Sequence, residues 1–291
     1  MIQFADDTIK QEVWDMWKTC FGDPDTYMEL YFRHKYRNEN TLLYMDEGRA
    51  VASLQMLPYR FTFCDVEIPV LYLSGLCTLP QARRKGYMRR LLRMSFTEAT
   101  KREIPLMLLV PQEPWLLHYY DTVGFAQTFD AGSEPLPSLK KLTDASPGDL
   151  HAAYRKFDTL YRQRDMTLQK SFDDFSAIVE EAALYHFAPR HNLTGMARVT
   201  DAEKLLSLFA HRYPEKTFSV CLQDELMQRN NGLFTLTGGE AYRASHYEGA
   251  IITLNIMDLA QLLLGYHTAE RGEPQRSLFP EKKPQLHFML E

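Results

Sequence analysis

The stretch from Leu76 to Leu92, LCTLPQARRKGYMRRLL, constrains the fold more than any other part of the chain. An apolar run read as a buried strand, Ile68 to Leu79, enters a tight turn, and a helix is expected at once over about Arg84 to Lys101. Met88, Leu91, Leu92, Ser95 and Ala99 would share one face of that helix. The first N–H groups of a helix have no intrahelical partner, and the helix dipole places partial positive charge there. Gly86 removes the Cβ that would keep a ligand away from the backbone. Arg83, Arg84 and Lys85 put cations at the end where the dipole disfavours them, a conflict that a bound anion resolves. The stretch therefore predicts a pyrophosphate cradle of backbone amides reinforced by charge; the plainer alternative is a surface helix with a basic first turn.

The surrounding pattern gives this junction a setting. Val13, Trp14, Trp17 and Phe21 recur at helical spacing before Gly22, and a second helix restarts at Asp23-Pro24-Asp25. Thr41 to Met45 and Ala50 to Phe63 read as strands joined by a turn at Asp46-Glu47-Gly48. After the helix come a doubly buried strand bounded by Pro105 and Pro111, a short helix from Glu113 to Tyr120, and another strand. This is an α/β domain over residues 1–135. The Gly-, Ser- and Pro-rich segment 132–149 reads as its boundary. A helical connector with no convincing strand is expected over 136–192. Residues 193–291 read as a compact α+β unit, with a helix from Asp201 to Ala210, a strand from Thr217 to Leu222, a hairpin turn at Asn230-Asn231-Gly232, and a helix over Met257 to Leu264 stopped by Gly265.

Composition narrows the function classes. With 45% hydrophobic and 24% charged residues the chain can build ordinary cores and is not a disordered one. A formal charge of -5 argues against nucleic acid as the partner, since neutralising phosphates needs surplus cations. No apolar run of about 18 residues is present, so no membrane helix is expected. The first residues carry acids and no apolar h-region, which points to a cytoplasmic protein. Cys20, Cys64, Cys77 and Cys221 show no CxxC spacing, and the nine histidines no ligand spacing, so neither a disulfide framework nor a metal is expected.

The run Pro80-Gln-x-Arg83-Arg84-Lys85-Gly86-Tyr87-Met88 resembles the acetyl-CoA motif of GNAT N-acetyltransferases, R/Q-x-x-G-x-G/A, with Met88 departing at the last place. A large apolar residue there resembles the enhanced-intracellular-survival (Eis) branch of that family. Tyr119-Tyr120-Asp-Thr-Val-Gly124-Phe125 resembles the Y-x-x-x-G-[FY] signature near the end of a GNAT domain. The resemblance implies an acetyl-CoA-dependent N-acetyltransferase acting on a primary amine. It also implies that the backbone of Cys77, Thr78 and Leu79 grips the pantetheine, and that amides of Arg84, Lys85, Gly86, Tyr87, Met88 and Arg89 hold the pyrophosphate.

Acetyl transfer needs a neutral amine, a donor to the thioester oxygen and a proton for the leaving thiolate. A phenol of pKa about 10 can protonate a thiolate whose thiol has a pKa of about 8.5. By its place in the signature, Tyr120 is the expected acid. In the Eis branch the terminal carboxylate reaches the active site; by resemblance, Glu291 is the expected base, although the family usually ends in an aromatic residue. Glu113 is the substitute candidate. Tyr27 and Phe32 are the candidates for contact with the acceptor, Cys77 reads as a buried small hydrophobe, and His118 as a helix-surface residue.

Phe218 to Asp224, Asn230 to Leu236 and Asp258 to Gly265 resemble the sterol-carrier-like domain that closes Eis-type chains. The segment 137–192 is too short for the second, degenerate GNAT domain of long relatives, so the connector is expected to be at most its remnant. The fold class expected is α/β (α+β): an N-terminal GNAT acyl-CoA N-acyltransferase fold, a helical connector and a C-terminal sterol-carrier-like domain. The charge of -5 is compatible with a cationic acceptor, such as a polyamine, an aminoglycoside or a lysine side chain. The competing reading is a non-catalytic module that binds CoA or lipid. Assembly into a homo-oligomer is left open.

Overall fold

In the computed structural model, which describes residues 1–246 and 249–290, the chain opens with β1 (Ile2–Phe4), α1 (Lys10–Phe21) and α2 (Asp25–His34). The antiparallel run β2 (Thr41–Asp46), β3 (Arg49–Phe63) and β4 (Val66–Thr78) follows, then α3 (Tyr87–Lys101), β5 (Leu106–Leu109), α4 (Trp115–Asp121) and β6 (Ala126–Phe129). Gly22 takes φ 72° and returns its N–H to Lys18 O, ending α1 as a C-cap glycine does. Alternate strand residues face opposite layers. Leu106 and Leu108 of β5 join the core under α1 and α2, while Met107 and Leu109 join Leu91, Leu92 and Phe96 of α3 on the other side. That double burial is why β5 is a continuous apolar run.

Strand β4 pairs with parallel β5 only over Val70–Tyr72 and Leu106–Leu108. Beyond Tyr72 it continues to Thr78 alongside β3, with no strand on its β5 side among the described residues. A bulge falls in that second half, where Gln55 pairs with Ser74 and Ser53 with Cys77. Gly75 sits in the bulge at φ 58°, and a Cβ there would stand 2.6 Å from Cζ3 of Trp17. The position admits only glycine, and the bulge turns the strand end against α1.

The expected boundary near residue 193 does not separate two sheets. After α5 (Leu139–Asp144), α6 (Leu150–Tyr161), β7 (Thr167–Gln169) and α7 (Phe172–Leu184), the chain forms β8 (Gly195–Val199) between β5 and β6, antiparallel to both. The first sheet therefore has the order β1-β2-β3-β4-β5-β8-β6, with β7 on β3. Residues 130–194 are an excursion between two adjacent strands of one sheet. The connector also holds a strand that its polar, helix-like pattern concealed. β7 is only three residues long, and it is stabilised by pairing across to Arg60–Thr62.

The C-terminal unit comprises α8 (Ala202–Arg212), β9 (Phe218–Gln223), β10 (Gly232–Thr237), β11 (Glu240–Arg243), β12 (Ala250–Asn255) and α9 (Ile256–Leu263), with strand order β11-β10-β9-β12 among the described residues. Asn230-Asn231-Gly232 is not the two-residue turn its sequence suggests, because Gly232 already pairs with Leu222. The loop before it is organised on Asp224, whose carboxylate accepts from Leu226 N, Met227 N and Asn230 Nδ2. The same carboxylate takes both bonds at 2.8 Å from Nη2 of Arg198 on β8, and the two side chains are 0% and 1% exposed. Removing one member of such a buried pair strands the other, at a cost of about 3–5 kcal/mol. Gly124 is shaped by this latch: a Cβ there would lie 2.9 Å from Arg198 Nε.

Residues 285–290 are docked. Gln285 N donates to Met166 O and Leu168 N to Gln285 O, adding the tail to β7, and Leu286 to Leu290 are all buried. His287 lies flat on Tyr161, ring centroids 3.7 Å apart.

Candidate active site

The parting of β4 from β5 opens the space in which the site lies. A groove of about 730 Å³ runs from the loop before α3 to α4. The loop takes left-handed backbone at Arg84 (φ 64°) and Gly86 (φ 77°), and Gly86 is the N-cap of α3. No side chain caps that end, so its first amides remain open to a ligand. A Cβ on Gly86 would meet nothing within 4 Å, so its requirement is the positive φ. Arg83, Arg84 and Arg89 line the groove, and no carboxylate does among the described residues.

Of the expected cofactor residues, Cys77, Thr78, Arg84, Gly86, Tyr87, Met88 and Arg89 line this groove. Leu79 and Lys85 do not. Leu79 N donates to Val51 O across the sheet, and Lys85 turns to Asp46 at 3.9 Å. Tyr87 is braced by its own bond to Asp46 and by stacking on Tyr44. Arg83 donates from Nε to Thr78 O at 3.1 Å, tying the loop to the strand end.

A second, smaller cavity of about 140 Å³ lies against the same wall. Trp17, Phe21, Tyr27 and Tyr72 surround it, with Ser74 and Gly75 of the bulge beside them. Asp23 is its charged residue among the described ones, and its carboxylate accepts from Trp17 Nε1 at 2.7 Å. Leu290 of the docked tail closes one side. Tyr120, Leu116, Gln112, Leu76 and Phe21 line both spaces. Tyr119, its neighbour in sequence, lines the groove alone.

The other expectations separate. Tyr27 lines the cavity. Phe32 lines neither space; it is buried in the aromatic cluster of Trp14, Trp17 and Tyr36. Glu113 is exposed just before α4 and lines neither space, so it gains no support as a base. Glu291 lies outside the described residues. Asp23, Gln112 and Leu116 went unnoticed as site residues because each read as a local signal, a helix restart, a loop or an apolar face. A separate depression of about 710 Å³, beside Lys35, Tyr59 and Lys170, holds none of the expected residues. No group of three or more potential metal ligands, and no helix long and apolar enough to cross a membrane, occurs among the described residues.

Residues 2–128 match the acetyltransferase (GNAT) domain family, and residues 203–273 match the sterol carrier protein domain family. No curated protein matches the chain. Solved structures resemble it along its length. A GCN5-related N-acetyltransferase from Kribbella flavida does so at 14% identity and TM-score 0.69, over 100% of this chain and 97% of that one. Eis1 from Mycobacterium abscessus does so at 13% identity and TM-score 0.66, over 99% of each. A conserved protein of unknown function from Enterococcus faecalis V583, described as a probable N-acyltransferase, gives 15% and 0.64 over 98% of each. At these identities the likeness speaks for the fold. Residues 2–128, whose sheet β8 completes, are thus similar to GNAT acetyltransferase domains, and residues 203–273 are similar to sterol carrier protein domains.

Proposed function

We propose that the protein transfers an acetyl group directly from acetyl-CoA to a primary amine, and that the amine belongs to a small cationic acceptor. The observation that carries this reading is the position of Tyr120, in the one wall shared by a cationic groove and an acidic, aromatic cavity. The groove suits a cofactor with a pyrophosphate, met by open amides at the α3 N-terminus and by Arg84 and Arg89. The cavity suits an ammonium-bearing arm, held by Asp23 and by ring faces that attract cations.

In this reading the neutral amine attacks the thioester carbonyl carbon while a backbone amide of the 76–79 strand donates to the oxygen. The C–S bond breaks, and the phenol of Tyr120 gives its proton to the departing thiolate. The proton lost by the amine goes to a carboxylate, for which we assign Glu291, directly after the cavity-lining Leu290. Deleting Glu291 should lower turnover by about tenfold or more without weakening acetyl-CoA binding; unchanged turnover would remove it from the mechanism. The reading as a whole is tested by release of free thiol from acetyl-CoA across a panel of amines. Diamines and polyamines should be the best acceptors. Thiol release that no amine accelerates would overturn it.

A further inference from the structure

Two thiols from distant parts of the chain meet in the cofactor groove, and the proposed acyl transfer uses neither. Cys20, in the last turn of α1, is half-buried, whereas Cys77, on β4, is buried; both line the groove. As a thiol, Cys20 donates to Thr78 O at 3.5 Å, the same carbonyl that accepts from Arg83 Nε at 3.1 Å. A guanidinium therefore stands beside the Cys20 sulfur. Ser53 Oγ lies 3.2 Å from Cys77 Sγ, and Thr78, whose carbonyl meets the Cys20 sulfur, directly follows Cys77 on β4. A hydrogen bond from Cys77 holds the Cys20 thiol down to about 7, with Arg83 adding to it against burial. The same bond and burial push Cys77 up, and burial pushes up Cys64 as well. Thiolate is the reactive form, so Cys20 is the nucleophile of the pair and Cys77 its neighbour.

We propose that Cys20 and Cys77 form an oxidant-sensitive dithiol, a modification site that a hydroperoxide converts to a disulfide across the wall of the cofactor groove. The Cys20 thiolate attacks one peroxide oxygen, the O–O bond breaks, and the hydroxide or alkoxide released takes a proton from water; Cys20 is left as a sulfenic acid. Cys77 then attacks the Cys20 sulfur, the S–O bond breaks, and the thiol proton leaves with the hydroxide as water. Two electrons pass from the two thiols to the peroxide. The new bond draws the end of α1, including Phe21, onto β4 and removes the Cys20 donor from Thr78 O. The groove narrows where the cofactor's pantetheine would lie, a consequence that rests on the proposed acetyl-CoA site.

The test is to treat the reduced protein with hydrogen peroxide, with and without acetyl-CoA, and to map its peptides by mass spectrometry. A peptide pair linked through Cys20 and Cys77 is expected, formed more slowly with acetyl-CoA present and reversed by dithiothreitol. The linked protein should bind acetyl-CoA at least about tenfold more weakly than the reduced one, roughly 1.4 kcal/mol. Cys77→Ser should stop at a sulfenic acid on Cys20, trapped by dimedone, and Cys20→Ser should leave Cys77 unmodified. Absence of both the link and the dimedone adduct, or linkage through Cys64 or Cys221, would overturn the proposal. An undiminished acetyl-CoA affinity in the linked protein would overturn its effect on the groove. Failure of the reduced protein to bind acetyl-CoA would sink the cofactor reading alone, because the link is read by mass.

Discussion

The groove over residues 83–89 and the cavity behind it share the wall that carries Tyr120, yet they are built by opposite means. The cationic end of the groove is local in sequence: a strand end, a left-handed turn and a helix N-terminus follow one another between Leu76 and Arg89, and Arg83, Arg84 and Arg89 all lie in that stretch. The cavity is assembled from α1, the bulge of β4, α4 and the C-terminal tail, parts separated by most of the chain. One is lined by guanidiniums and the other by rings around a carboxylate. A local site can be altered one contact at a time, whereas a composite one depends on how each distant part is packed.

The largest effect should come from the shared wall. Tyr120→Phe is expected to lower turnover by about 10²-fold or more with acetyl-CoA affinity nearly unchanged, while Tyr119→Phe should change turnover little. Equal effects of the two in steady-state assays would dissolve the distinction drawn here between them. Next, Arg84→Ala should weaken acetyl-CoA binding about tenfold at low salt and less at high salt, leaving the acceptor KM in place. Titration calorimetry at two ionic strengths separates this from a folding defect. Asp23→Asn should do the reverse, raising the KM of a diamine by about five- to tenfold without touching acetyl-CoA affinity. A rise in both constants would mean that the two spaces are not independent.

The smallest effect concerns the tail that closes the cavity. Burial, with Lys170 and Arg164 nearby, holds His287 well below the ordinary histidine value, so the folded chain keeps it neutral. The stabilisation this implies is complete above the unfolded value of about 6.5 and is lost as pH falls below it, by about 1.4 kcal/mol per unit at most until the folded value is reached. Thermal midpoints measured from pH 7 to 5 should fall more for the native chain than for His287→Phe. Parallel curves would remove His287 as the cause.

The contrast also explains what could be read in advance. The α3 N-terminus and the order of strands and helices from α1 to β6 follow from short-range patterns, because caps, turns and alternation act between neighbours in sequence, whereas the three-residue β1 was not expected. The packing of Phe32 was not legible in advance, because an aromatic stripe on α2 looks the same whether it faces a pocket or Trp14 and Tyr36. Asn230-Asn231-Gly232 carries a strong turn signal, which the bonds from Asp224 to three residues and to Arg198 override. β8 was assigned to the second unit because chain order places it there.

By itself the sequence determined the strand–turn–helix junction before α3 and the class of fold, since both rest on interactions spanning a few residues. Only the tertiary structure decided that β8 returns to complete the first sheet, that Asp23 and Tyr120 line one cavity, and that the tail packs its last described residue beside them. Those outcomes depend on which buried surfaces fit together, as Arg198 fits beside Gly124 and Trp17 against Gly75, and no local pattern encodes that fit.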